Sequence, residues 1–234
     1  MIKGIFFDAA DVFYERREST SEFAMNLLTQ NGFSNRVSEL DRARQKELRV
    51  HATEGRISPE TYWDEFLRMR GVAESPQRRA LVAQILEHTH RVVAIPGGRA
   101  AMAELRARGF VLGIVTDTMY PVEWKMNWLA QVGVAEFIDV VACSTVLGAH
   151  KPNPEIYLNA LHQARLEPGQ AAFVGHDAGE LAGARRAGMK TVAVNHDANA
   201  QADYYAQSLT DLLNVPIFQI NGLVIGSWNP TSNV

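Results

Sequence analysis

The first eleven residues, MIKGIFFDAAD, constrain this chain more than any other stretch. The apolar, aromatic-rich run through Phe7 has the length and composition of a short buried strand, and it stops abruptly at a carboxylate, Asp8. In an open α/β sheet, reacting groups sit at the carboxyl ends of strands, where the backbone turns outward and a crevice begins. Asp8 therefore stands where a nucleophile would. Ala9 and Ala10 follow, in positions where a second carboxylate is expected and none is present.

From residue 19 to about residue 93 the pattern turns helical, with no convincing strand. Phe23, Ala24, Leu27 and Leu28 recur at helical spacing, and Ser58-Pro59-Glu60 reads as a capped helix start. The helix it opens carries Tyr62, Trp63, Phe66 and Leu67 on one face, and another is expected over about 76–90. Pro96-Gly97-Gly98 then marks a return. Helical segments at 99–108, 122–132, 154–163 and 180–187 alternate with strands at 111–115, 140–142, 172–174 and 191–194. That alternation predicts an α/β fold with a doubly wound parallel sheet, a Rossmann-like three-layer core. The core is expected from residues 1–13 and 96–216, with 14–95 as an inserted α-helical cap and 217–234 as a C-terminal arm of unknown role.

Nearly half the chain is apolar (47% of 234 residues), enough for a core and a lid. A net charge of −3 argues against a nucleic-acid surface. The single cysteine, Cys143, excludes an internal disulfide and fits a reducing, cytoplasmic setting. The amino terminus enters a strand at once instead of presenting a signal peptide. No apolar stretch reaches the roughly 18 residues of a membrane span. Monomer and homodimer are both open.

Three later segments give Asp8 its company. Residues 110–118, FVLGIVTDT, close an apolar run on Thr116 and Thr118; 148–157, GAHKPNPEIY, place Lys151 ahead of two prolines. Residues 171–189 close another apolar run on His176, Asp177 and Glu180 before an Ala-rich helix. With the motifs in this order, the chain resembles the haloacid dehalogenase superfamily of hydrolases over about residues 1–216. The resemblance implies that Asp8 attacks an electrophilic centre to form a covalent ester or acyl phosphate. It gives Thr116 the task of holding phosphate or carboxylate oxygens, with Asp117 and Thr118 competing for that position. Lys151 would neutralise Asp8 and the charge of the transition state. It also implies magnesium on Asp8, the Ala10 carbonyl and Asp177, the last counted in the catalytic set. His176 stands where an aspartate is common, and as a poor magnesium ligand it reads as a hydrogen-bond partner or substrate contact. Glu180 is either a water-mediated metal contact or a first-turn helix carboxylate.

Ala10 is the departure that bears on function. Phosphatase branches of the superfamily carry an aspartate there, whose acid–base help contributes about 10²–10⁴-fold. Two other branches lack it, the phosphonoacetaldehyde hydrolases and the haloacid dehalogenases. The segment from Arg42 to Leu48 resembles the one carrying the dehalogenase arginine, making Arg44 a candidate anion clamp and Lys46 a weaker Schiff-base candidate. The expectation is a hydrolase displacing at carbon or activated phosphorus in a small anionic metabolite, rather than an efficient general phosphatase. Two alternatives stand beside it: a magnesium-dependent phosphatase of small phosphate esters using Asp11 or His176, and a catalytically silent binding member.

Overall fold

The computed structural model describes residues 1–219; residues 220–234, most of the expected C-terminal arm, lie outside the described residues. Strand β1 (Gly4–Phe7) leads through a tight turn to the short β2 (Tyr14–Glu15). Helices α1 (Thr20–Gln30), α2 (Glu39–Thr53), α3 (Pro59–Arg68) and α4 (Pro76–His88) follow, and then β3 (Val93–Ala94), which pairs antiparallel with β2. The chain continues through α5 (Gly98–Ala107), β4 (Val111–Thr116), α6 (Val122–Gln131), β5 (Val140–Cys143) and the short α7 (Ser144–Leu147). It closes with α8 (Pro154–Ala164), β6 (Ala171–Gly175), α9 (Ala178–Arg186), β7 (Lys190–Val194) and β8 (Tyr204–Ala206).

Six strands form one sheet in the order β5-β4-β1-β6-β7-β8, every adjacent pair parallel. The strand order reverses at β1, so a crevice opens at its carboxyl end. Phe7 lies opposite Ile114 on one side and Val174 on the other, and Asp8 leaves the sheet directly after it. A parallel sheet is covered on both faces, which is why its strands are apolar throughout rather than alternating. Ile5 and Phe7 pack with Met102 and Leu105 of α5 and Trp128 and Leu129 of α6. Phe6 points to the opposite layer, with Ile156 and Tyr157 of α8 and Leu181 of α9. This is the doubly wound, three-layer arrangement read from the sequence.

The four helices before β3 are capped alike. Ser19, Ser38, Ser58 and Ser75 each accept the N–H of the residue three further on, satisfying a donor that the helix start leaves free. Their apolar faces meet in a separate cluster around Leu28, Trp63, Phe66, Leu81 and Ile85. Trp63 Nε1 donates to Tyr120 Oη at 3.2 Å, and His150 Nδ1 lies 3.3 Å from Glu54 Oε1, so this cluster sits on the sheet end that carries Asp8. The β2–β3 ribbon and β8 were not anticipated; all three are two or three residues long, too short to show a period.

Candidate active site

Asp8 is carried by the turn after β1. Its N–H donates to Val174 O at 2.9 Å, and Phe13 N–H donates to Ala9 O at 3.0 Å, fixing a buried carboxylate at the sheet end. Lys151, just before α8, reaches it. Lys151 Nζ lies 2.6 Å from Asp8 Oδ1 and 2.8 Å from Glu180 Oε2, and the Lys151 N–H donates to Asp117 Oδ1 at 3.1 Å. The Glu180 contact is close but lies off the direction of a well-formed hydrogen bond.

Three carboxylates around one ammonium cannot all ionise on equal terms. Burial alone would raise Asp8, but the charge and hydrogen bond of Lys151, with a smaller contribution from Lys125, hold it below its ordinary value. Burial would depress Lys151, yet the charges of Asp8, Glu180 and Asp117 raise it. Burial and then the Asp8 charge push Glu180 up to about 8, against the pull of Lys151. Burial likewise raises Asp117. Ionisation is therefore favoured at Asp8, with Lys151 as its counter-charge, over Glu180. Environments that drive neighbouring titratable groups apart in this way mark acid–base or nucleophilic sites.

Thr116 ends β4, fully buried, and its hydroxyl has only the Asp117 carbonyl at 3.5 Å, too long to hold it. Thr118 is engaged elsewhere: its N–H donates to Ser144 Oγ and its hydroxyl oxygen accepts from Tyr120 N–H, both at 3.0 Å. The Thr116 hydroxyl is thus without a close partner, while Thr118, whose hydroxyl oxygen accepts one bond, is the threonine that lines a cavity. Asp117 is occupied in seating the Lys151 backbone.

His176 follows β6 and stands between two carboxylates, Nδ1 3.6 Å from Asp8 Oδ2 and Nε2 3.8 Å from Asp11 Oδ2. Its Nδ1 is buried without a hydrogen-bond partner. One oxygen of Asp177 is engaged: its Oδ1 accepts the Glu180 N–H at 2.9 Å as the N-cap of α9. Magnesium wants several oxygen donors around an octahedron. Here Lys151 holds one Asp8 oxygen, an imidazole stands beside the other, and Asp177 caps a helix. No cluster of three or more His, Cys, Asp or Glu among the described residues is placed to hold a metal ion. What opposes the expected magnesium set of Asp8, the Ala10 carbonyl and Asp177 is the imidazole of His176, a poor magnesium ligand, standing 3.6 Å from the Asp8 oxygen that Lys151 leaves free.

Arg44 is not brought to the site. It lies exposed on α2, paired with Glu65 at 3.4 Å, and lines neither cavity beside Asp8. Lys46, Arg49, Val50 and Thr53, one shared helix face at i, i+3, i+4 and i+7, line a cavity of about 490 Å³ instead. Ala10, Asp117, His150, Arg16 and Lys125 complete much of its wall. Sequence reasoning passed over Arg16, Arg49 and Lys125. The readable signal for Lys125 was a lone cation amid the apolar residues of VEWKMNW.

A family model described as haloacid dehalogenase-like hydrolase matches residues 5–194. The chain belongs to the haloacid dehalogenase-like hydrolases. Glyceraldehyde 3-phosphate phosphatase from Methanopyrus kandleri is 29% identical to this hydrolase over 201 residues, covering 83% of this chain and 84% of the relative. The protein of that name from Pyrococcus furiosus is 27% identical over 231 residues, covering 92% of each. Among solved structures, a 2-haloacid dehalogenase from Pseudomonas syringae pv. Tomato DC3000 superposes with a TM-score of 0.68 at 23% identity, covering 92% of this chain and 97% of that one. That likeness speaks to the fold of this haloacid dehalogenase-like hydrolase alone. No helix among its described residues is long and apolar enough to cross a membrane.

Proposed function

We propose that Asp8 is the covalent nucleophile of a hydrolase acting on a small anionic metabolite, at carbon or at an activated phosphorus, on a group that departs without needing a proton. The observation that carries this reading is the buried 2.6 Å Lys151–Asp8 pair, which favours an ionised carboxylate at the end of β1. Beside it Ala10 offers only a methyl group. Asp8 bonds to the electrophilic atom as the leaving group takes its electron pair, giving an ester or an acyl phosphate. The Thr116 hydroxyl and Lys151 steady the negative charge. Water then cleaves that bond and restores the carboxylate, its proton passing to His176 or to solvent.

A second reading is hydrolysis of small phosphate esters. The names of the phosphatase relatives favour it, and so does the placement of His176, an acid–base side chain between Asp8 and Asp11. A panel of an alkyl phosphate, an aryl phosphate and a 2-haloacid separates the two. The first reading expects turnover of the activated substrates and little of the alkyl phosphate, with Ala10→Asp raising the latter by up to about 10²–10⁴-fold. Rapid alkyl phosphate hydrolysis that disappears in His176→Gln establishes the second. A folded protein inactive on all three would leave binding as its function.

A further inference from the structure

Lys125, on α6, is a buried cation that the reaction scheme does not use. It is 3% exposed, and its ammonium donates to Tyr14 Oη at 2.9 Å. The Tyr14 and Trp128 ring centroids each lie 5.5 Å from Nζ. Among the described residues, no carboxylate comes within 4.0 Å of it, whereas buried Lys151 has two. An ammonium has three donors, and one phenol oxygen takes one of them. Contact with aromatic faces recovers less than an ion loses on leaving water. A buried ammonium so poorly compensated is built to receive an anion.

The cavity agrees. Lys125 lines the space of about 490 Å³ that also touches Ala10, two residues after Asp8, and Asp117, which seats the Lys151 backbone. Arg16, Lys46 and Arg49 line it too, and Asp117 is the one carboxylate among its lining residues. Arg16 is itself held, donating through Nε and Nη2 to Thr89 O, and its guanidinium lies 4.5 Å from the Trp128 ring and 5.6 Å from the Tyr14 ring, the same two rings that Lys125 contacts. Lys125 also lies close enough to Asp8 to help hold it ionised.

We propose that Lys125, with Arg16 beside it and Arg49 from α2, seats the anionic group of the substrate that is not attacked, a carboxylate or a phosphate. The substrate class is then a short metabolite whose reacting centre lies a few atoms from a separate anionic end. This deepens the reading of Asp8 as the attacking group and rests on it.

Binding of unreactive probes tests it apart from turnover. Phosphonoacetate carries a phosphonate and a carboxylate; methylphosphonate lacks the second anion. Calorimetry on the wild-type chain is expected to show phosphonoacetate binding at least about tenfold tighter, the equivalent of 1.4 kcal/mol. Lys125→Met, an unbranched apolar replacement, should erase that preference and leave methylphosphonate affinity within about twofold. Lys125→Arg should retain part of it, and serves also if the Met variant does not fold. Equal affinity of the wild type for the two probes overturns the proposal, as does an equal loss for both in the Lys125 variants or failure of both to bind. If Asp8→Asn kept its turnover, the nucleophile reading would fall while a probe preference dependent on Lys125 remained.

Discussion

Lys151 serves the fold and the chemistry through the same contacts. Its ammonium touches Asp8 and Glu180 while its backbone is seated by Asp117, so the group that keeps Asp8 ionised is itself immobile. Breaking a buried pair from one side strands the partner charge, which costs about 3–5 kcal/mol. Lys151→Ala should therefore lose both activity and stability by roughly that amount, read from urea unfolding alongside turnover. Asp8→Asn should behave differently. It removes the oxygen proposed to attack but keeps the shape, so turnover should vanish while the circular dichroism spectrum stays native. His176 sets the metal requirement. With an imidazole between Asp8 and Asp11 opposing an oxygen cage, chelation by EDTA is expected to leave turnover within about twofold. A collapse of activity restored by magnesium would show that the donor set closes on the metal after all.

At the scale of elements, α2 decides what the cavity presents. Ala52 is its only fully buried residue, so a narrow apolar face, Ala52 with Leu48, and its C-terminal end hold it in place. One end is Gly55, in the left-handed region at φ +70, where a Cβ would overlap the Thr145 carbonyl of α7. Gly55→Ala should destabilise by at least about 1–2 kcal/mol from the backbone alone. It should also raise KM, since the same shift moves Lys46 and Arg49 away from the cavity. Arg44→Ala on the same helix should change neither KM nor stability beyond about 0.5 kcal/mol, because an exposed ion pair contributes little.

For the whole molecule, the buried carboxylates dictate how stability follows pH. Glu180 is pushed up to about 8 from its ordinary 4.5, so between those values the folded chain holds a proton that the unfolded chain has released. Stability gained from it is complete below pH 4.5 and is lost as pH rises towards 8. Asp8 works in the opposite sense and lower down: its depressed pKa gives stability that is present above 3.8 and lost on acidification below it. The thermal midpoint should fall between pH 5 and 8, a window set by the Glu180 shift, and Glu180→Gln should flatten that slope. A midpoint that rises across this range would mean that Glu180 is ionised in the folded state.

Much of the catalytic end was legible along the chain because its signals are local. A strand that ends at Asp8, one that ends at Thr116 and a lysine before Pro152 are each read within a few residues, and the parallel sheet follows from alternation alone. His176 could be seen as a departure in the same way, but not where its ring would lie. That depends on β1 and β6 being neighbours, which puts it between Asp8 and Asp11. The cationic cavity was the least legible part. Which face of α2 meets the sheet end, and so why Lys46 and Arg49 line the cavity while Arg44 faces solvent, is set by how the helices dock. Lys125 is the same case: a lone lysine in a mostly apolar helix carries no sign of what it will face. Local chemistry is written in consecutive residues, whereas a cavity is made by surfaces that meet only when distant segments pack.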